Sequence, residues 1–265
     1  MDKFAPIGVF DSGVGGLTVV RELLKHLPAE NVIYYGDTAH VPYGSKTREQ
    51  LLAYGRGIME YLTAAGVKLV LVACNTSSSL TLEALAAEFP VPMIGMIKPG
   101  AKAAAAASKN GKIGVIATEA TTRSQAYPAA IKALRPEAEV LGQACPKFVP
   151  LVESGRFDTE ETVEAVREYV LPLLAEGIDT LVYGCTHYPF LEPVIRRLAD
   201  SNLTLVDPAQ AVVREAEQLL ASRGLAAEGG QGQYRFVVSG DPLQFQRVGK
   251  ILLGDIIKQV EKADR

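Results

Sequence analysis

Residues 64–74 of this chain align without a gap on residues 175–185, with Ala64, Gly66 and Cys74 recurring as Ala175, Gly177 and Cys185. The stretch between glycine and cysteine is apolar in both copies apart from Lys68, Asp179 and Thr180. A second anchor, residues 7–10 on residues 113–116, repeats Gly8-Val9 as Gly114-Val115 at an offset of 106 against 111, so only a few loop residues distinguish the two copies. Two anchors in register point to an internal duplication. A chain built this way folds as two related units, each with one cysteine in the same local place.

The periodicity agrees. Apolar runs of strand length at 7–10, 32–35, 69–73 and 92–95 alternate with helical patterns over 17–27, 47–65 and 77–89. The rhythm restarts with strands at 113–117, 139–142, 180–183 and 203–206, interleaved with helices at 121–134, 160–176 and 191–200. Alternation of this kind predicts an α/β fold of two similar lobes, each a mainly parallel sheet flanked by helices, related by a pseudo-two-fold with the active site between them. Short crossings near Lys98 and Pro208 join the lobes, which sets the second lobe at 99–207 and opens the first with 1–98. After 208, residues 229–232 read as a flexible loop, 235–239 as a further strand and 243–260 as a helix, none with a copy in the first repeat. The alanine-rich face at 101–107 packs within its lobe or against a partner.

Charge and composition narrow the function. With 27 basic and 30 acidic side chains the net charge is −3, which provides no polycationic footprint, so no nucleic-acid partner is expected. Apolar runs stay far below the ~20 residues of a membrane span, and Asp2 and Lys3 precede no apolar secretory core; a cytoplasmic protein without a membrane partner is expected. Three widely spaced cysteines, Cys74, Cys145 and Cys185, are an odd number in a chain large enough to need no staples, and read as reduced thiols.

Cys74 and Cys185 each close a buried strand at the sheet edge where open α/β folds place ligands, and each is followed by polar residues and a new helix. A thiol at a helix N-terminus sees unsatisfied N–H groups that favour the thiolate. Two such thiols on opposite sides of a carbon remove a proton from one face and return one to the other, which inverts a stereocentre. Buried cysteine is also ordinary packing material; that explanation suits Cys145, between Ala144 and Pro146, better than Cys74 or Cys185. A zinc site of Cys74, Cys185 and His187 is the competing chemistry, weakened by the absence of any CxxC or HExxH motif. The loop Asp11-Ser12-Gly13-Val14-Gly15-Gly16 lacks the third glycine of a dinucleotide fingerprint, Thr18 standing there, and reads instead as a nest of N–H groups for a small anion. Asp11 either orients an ammonium group, tunes a thiol, or simply caps the following helix. His187, two residues past Cys185, is placed to share a proton near neutrality. Pro42 and Gly44 fix a loop that presents N–H groups, and Tyr43 beside them contacts ligand or packs. Glu153 is an isolated carboxylate whose default place is the surface.

Taken together, residues 8–16, Gly36-Asp37-Thr38, Pro42-Tyr43-Gly44, Ala73-Cys74-Asn75-Thr76, Thr118-Glu119-Ala120-Thr121 and Gly184-Cys185-Thr186-His187-Tyr188-Pro189 closely resemble the bacterial glutamate racemases. Histidine at 187, where aspartate racemases tend to carry glutamate, favours the glutamate branch. Phe190 and Lys147 stand where a leucine and an apolar residue are frequent. The resemblance implies cofactor-independent interconversion of L- and D-glutamate, with no metal, supplying D-glutamate for peptidoglycan. It implies Cys74 as the base toward D-glutamate and Cys185 as the base toward L-glutamate, assisted by Asp11 and His187 respectively, with Glu153 near His187. It also implies substrate contacts from Asp11, Ser12, Tyr43, Gly44, Asn75, Thr76, Thr118, Thr121, Thr186 and His187. A homodimer, and a tail at 208–265 that completes the first lobe, follow from the resemblance alone.

Overall fold

Five consecutive buried residues, Ile7–Asp11, with no charged member until the last, form the first strand; a strand covered by helices on both faces carries a continuous apolar run rather than an alternating one. A computed structural model describes residues 2–199 and 201–263. In chain order the strands are β1 (Ile7–Asp11), β2 (Val32–Gly36), β3 (Leu69–Val72), β4 (Met93–Gly95), β5 (Lys112–Ala117), β6 (Glu139–Ala144), β7 (Thr180–Gly184), β8 (Thr204–Val206), β9 (Tyr234–Val238) and β10 (Val260–Lys262). They build two parallel sheets, ordered β10-β9-β2-β1-β3-β4 and β6-β5-β7-β8.

The order β2-β1-β3-β4 of the first sheet recurs as β6-β5-β7-β8, and the ladders keep the sequence repeat to the residue. Ile7 lies opposite Leu69 in the first sheet, and Ile113 opposite Thr180 in the second. These are the four positions that the two sequence anchors align. The two-lobed α/β architecture read from periodicity is the architecture of the molecule.

Four local expectations change. The helix expected over 77–89 is two, Asn75–Leu80 and Leu82–Glu88, parted at Thr81, whose hydroxyl donates to the Ser77 carbonyl and competes with the helical ladder. The helix expected over 121–134 is likewise split into Glu119–Ser124 and Ala126–Leu134 by Gln125 in the left-handed region. The helix expected over 191–200 runs Glu192–Leu198, and Asp200 lies outside the described residues. The helix expected over 243–260 is Pro242–Leu253. Gly254, at φ +57°, ends it, and the chain returns through a short 3-10 turn to add β10 beside β9.

Two further helices carry the chain between the sheets, Ile97–Ala107 after β4 and Pro208–Ser222 after β8, and they pack against each other. The second has a start signal in the sequence, proline at its first position and an Asp207 side chain that accepts from the Ala209 N–H. Beyond it, β9 pairs with β2, Val32 opposite Tyr234. The glycine-rich loop at 229–232 is tied down at its end, where the Gly232 N–H donates to the Pro28 carbonyl. Among the described residues no helix is long and apolar enough to cross a membrane.

At the foot of β3 a buried ion pair fastens the termini of the first sheet. The Lys68 ammonium lies 2.5 Å from the Glu30 carboxylate and donates to the carbonyls of Lys3 and Leu225 at 2.5 and 2.8 Å, with both side chains shut off from water. Its three partners come from the segment before β1, the loop before β2 and the segment after helix Pro208–Ser222. Lys68→Met strands a buried carboxylate and is expected to cost about 3–5 kcal/mol in urea unfolding, whereas Lys68→Met with Glu30→Met, which removes both charges, is expected to cost much less.

Candidate active site

Parallel strands end at a common edge, and in both sheets that edge carries the chemistry. Asp11 closes β1, Cys74 lies two residues past β3, Thr118 follows β5, Cys145 follows β6 and Cys185 follows β7. Asp11, Asn75, Thr76, Thr121 and His187 are all at most 2% exposed, and Cys74 and Cys185 are 5% and 6% exposed. Polar groups this deeply buried must satisfy one another or a ligand.

On the second-lobe side, His187 is held at both ring nitrogens. Nδ1 lies 3.6 Å from the Cys185 sulfur, and Nε2 lies 2.6 Å from Glu153 Oε1. Glu153, expected at the surface from its sequence surroundings and near His187 from the family resemblance, ends helix Phe148–Glu153 and turns inward, where the same oxygen accepts from the Val14 N–H. The Thr186 hydroxyl donates to Asp11 across the cleft at 3.2 Å. Asp11 in turn accepts from the Gly13 N–H and does not cap helix Leu17–His26, whose cap is Gly16. The glycine loop is therefore a nest for protein carboxylates: Gly13 serves Asp11 and Val14 serves Glu153. Its glycines are required by close approach, since a Cβ on Gly15 would stand 2.5 Å from both His187 Nδ1 and Thr186 Oγ1.

On the first-lobe side, Cys74 caps helix Asn75–Leu80. Thr76 reaches across to Thr118 and Thr121 at 2.9 and 3.2 Å, so three hydroxyls from both lobes form one cluster. Gly44 packs against Thr118, 2.8 Å separating its ideal Cβ position from the Thr118 Cβ. Tyr43 is buried, but its hydroxyl is committed to Asp37 at 2.5 Å, which leaves the backbone of the Tyr43-Gly44 turn as the part able to face a ligand. Ser12 is buried beside Asp11. Cys145 is buried too, and its carbonyl accepts from the Tyr188 hydroxyl. A cavity of about 110 Å³ lies between Pro42, Gly44, Thr118, Cys145 and Val149.

The electrostatics of the two sides differ. Burial, reinforced by the charges of Asp11 and Cys185, pushes the Cys74 thiol up to about 12, while hydrogen bonds from the Ser77 N–H and hydroxyl pull the other way. Burial also raises Asp11, opposed by the His187 charge and by the N–H groups of Gly13 and Gly16. Burial alone would discharge His187, but its hydrogen bonds to Cys185 and Glu153, together with the charges of the same two groups, outweigh that and raise its titration well above the ordinary 6.5. One thiol is kept protonated, and the other faces an imidazolium.

A family model described as Asp/Glu/hydantoin racemase matches residues 7–216. The chain belongs to this family. It is accordingly an isomerase of the racemase class. The racemase is 50% identical over 255 residues to the glutamate racemase of Desulforudis audaxviator, covering 94% of this chain and 93% of that one. It is 49% identical to the Microcystis aeruginosa glutamate racemase, covering 95% and 89%. Its fold superposes on glutamate racemase isoform RacE1 from Bacillus anthracis with a TM-score of 0.93 at 37% identity, covering 99% and 98%. The Francisella tularensis glutamate racemase, solved with D-glutamate, gives 0.91 at 33% identity over the same shares.

Sequence reasoning gave no role to three polar residues of the candidate site. Asp37 follows β2 as Cys74 and Cys185 follow their strands, and gathers His40 (2.8 Å), Tyr43 (2.5 Å) and Ser239 (2.6 Å); its place at a strand end was the available signal. Ser77 tunes Cys74, and Tyr127 donates to Asn75; neither has a signal in sequence, because each acts through a contact made by folding. Two titrations test the electrostatics. Ultraviolet thiolate titration of the unliganded racemase should find Cys74 protonated through mildly alkaline pH, with Asp11→Asn moving its titration to lower pH and Ser77→Ala to higher. Because the folded-state value of His187 is raised, its stabilising contribution is complete below its ordinary 6.5 and is lost as pH climbs through the raised value. In thermal unfolding across pH, Glu153→Gln should bring that loss to lower pH; an unchanged profile would break the link.

Proposed function

We propose that this racemase interconverts L- and D-glutamate by a two-base mechanism in which Cys74 and Cys185 work from opposite faces of the α-carbon. The observation that carries it is the equivalent placement of the two cysteines past β3 and β7, at sheet edges joined by the Thr186–Asp11 hydrogen bond. The glutamate racemases at about half identity over nearly the whole chain support the choice of substrate.

Starting from L-glutamate, the Cys185 thiolate, paired with the His187 imidazolium, takes the α-proton; the Cys74 thiol gives its proton to the opposite face and becomes the thiolate. D-glutamate leaves, and the protein holds the mirror arrangement of protons, from which the reverse reaction begins. The elevated Cys74 thiol suits the role of acid in the first arrangement. In the second, Asp11 supports Cys74 as the base toward D-glutamate, and the substrate ammonium brings a positive charge that favours thiolate and carboxylate alike. Glu153 orients His187. The α-proton beside a carboxylate is a very weak acid, and the chain offers fixed dipoles to meet the charge that builds there: the hydroxyls of Ser12, Thr76 and Thr186, with Thr118 and Thr121 behind Thr76, the N–H groups of the Tyr43-Gly44 turn, and the Asn75 amide. Site chemistry needs no added cofactor under this scheme.

Both thiols are almost sealed from solvent, so glutamate enters when the lobes part, and their return excludes water and strengthens each contact. The lobes comprise 1–98 with 208–265, and 99–207. D-glutamate made in the cytoplasm supplies peptidoglycan synthesis, and the working unit is a homodimer.

In deuterated buffer, with chelator present and no cofactor added, each glutamate enantiomer should yield its mirror image carrying solvent deuterium at the α-carbon; recovery of unexchanged glutamate would overturn the proposal. Cys74→Ala and Cys185→Ala should each lower turnover by about 10²–10⁴-fold or more with the fold intact. Circular dichroism should show L-glutamate losing its optical activity and L-aspartate keeping it.

A further inference from the structure

The side chain of Asn75 is buried, and its two ends are treated differently. The carbonyl oxygen accepts a hydrogen bond from the Tyr127 hydroxyl at 2.7 Å, while the amide nitrogen has no protein partner. A buried amide N–H₂ without an acceptor is costly unless something else supplies one. Asn75 follows Cys74 directly, and its counterpart in the repeat is Thr186, which follows Cys185 and bonds across the cleft to Asp11. Tyr127 comes from the other lobe, on helix Ala126–Leu134, and is 1% exposed. The residue after each thiol is thus tied to the opposite lobe.

We propose that Tyr127 is a positioning residue: by donating to Asn75 Oδ1 it fixes which way the amide faces, so that Asn75 presents an N–H donor, and not its carbonyl, to an anionic oxygen of the substrate. An unrestrained amide can turn through half a rotation and offer either end. With its oxygen toward the ligand, Asn75 would set an acceptor against a carboxylate. Burial, then the charges of Asp207 and Cys185, raise the Tyr127 phenol well above its ordinary value, so the hydroxyl remains a donor throughout the working range. Because the bond spans the lobes, the donor is set only when they are together.

The inference rests on the glutamate reading above, and the test separates the two. Steady-state kinetics with L- and with D-glutamate are measured on the full chain for wild type, Tyr127→Phe, Asn75→Ala and the double variant. Tyr127→Phe keeps the ring and is expected to raise KM by about three- to tenfold in both directions with kcat largely kept. In the Asn75→Ala background, Tyr127→Phe is expected to add nothing, because the amide it positions is gone. A wild-type KM in Tyr127→Phe, or a rise that adds fully to that of Asn75→Ala, overturns the inference; a merely structural role lowers the melting temperature and leaves KM alone. Should Tyr127→Phe fail to fold, Asn75→Asp decides, since it keeps an acceptor for Tyr127 and removes the donor. Loss of glutamate saturation at wild-type melting temperature supports the inference, and a wild-type KM overturns it. Wild-type protein that does not racemise glutamate defeats the proposed function instead.

Discussion

Parallel strands deliver their carboxyl ends to one edge, and in this chain two sheets of the same internal order turn that edge toward one small volume. Everything chemical in the molecule follows from that constraint. Asp11, Asp37, Cys74, Thr118, Cys145, Cys185 and Asp207 all end or closely follow strands. An antiparallel sheet would scatter such residues to both ends. Here the connections that make parallel pairing possible, helices packed on both faces, also form the walls that keep water away.

Gathering ionisable groups in a dry place is expensive unless they compensate one another. The compensation is a chain that runs Glu153, His187, Cys185 on one side and Thr186, Asp11, Gly13 on the other. His187 shows which effect wins: burial works against its charge, and the hydrogen bonds and charges of Cys185 and Glu153 together reverse the outcome. Cys74 shows the opposite balance, because its helix N-terminus and Ser77 are outweighed by burial and by Asp11. The same low dielectric that raises these costs is what lets a few fixed dipoles act strongly on a substrate.

The duplication supplied two similar backbones, and the side chains have since diverged around them. Asn75-Thr76-Ser77 on one lobe stands where Thr186-His187-Tyr188 stands on the other. One thiol lies beside the Asp11 carboxylate and the Ser77 donors, the other beside the His187 imidazolium. Two equivalent backbone positions thus set their thiols in unlike electrostatic surroundings.

Sequence alone determined the layered architecture, the duplication and the two cysteines, because apolar runs of strand length and an ungapped repeat are local signals that survive without coordinates. It also carried the motif that marks the glycine loop. It did not reveal the breaks at Thr81 and Gln125, where a hydroxyl back-bond and a left-handed residue interrupt otherwise helical patterns. Nor did it show β10, three residues whose strand character exists only because β9 offers an open edge. Tertiary structure alone decided that the Tyr43 hydroxyl belongs to Asp37 and that Tyr127 reaches Asn75 across 52 residues of sequence, and it turns inward the Glu153 that the family resemblance, but not its sequence surroundings, puts near His187. The physical reason is that hydrophobic periodicity is written along the chain, whereas a buried polar group finds its partner in space, wherever folding leaves a donor and an acceptor with no water between them.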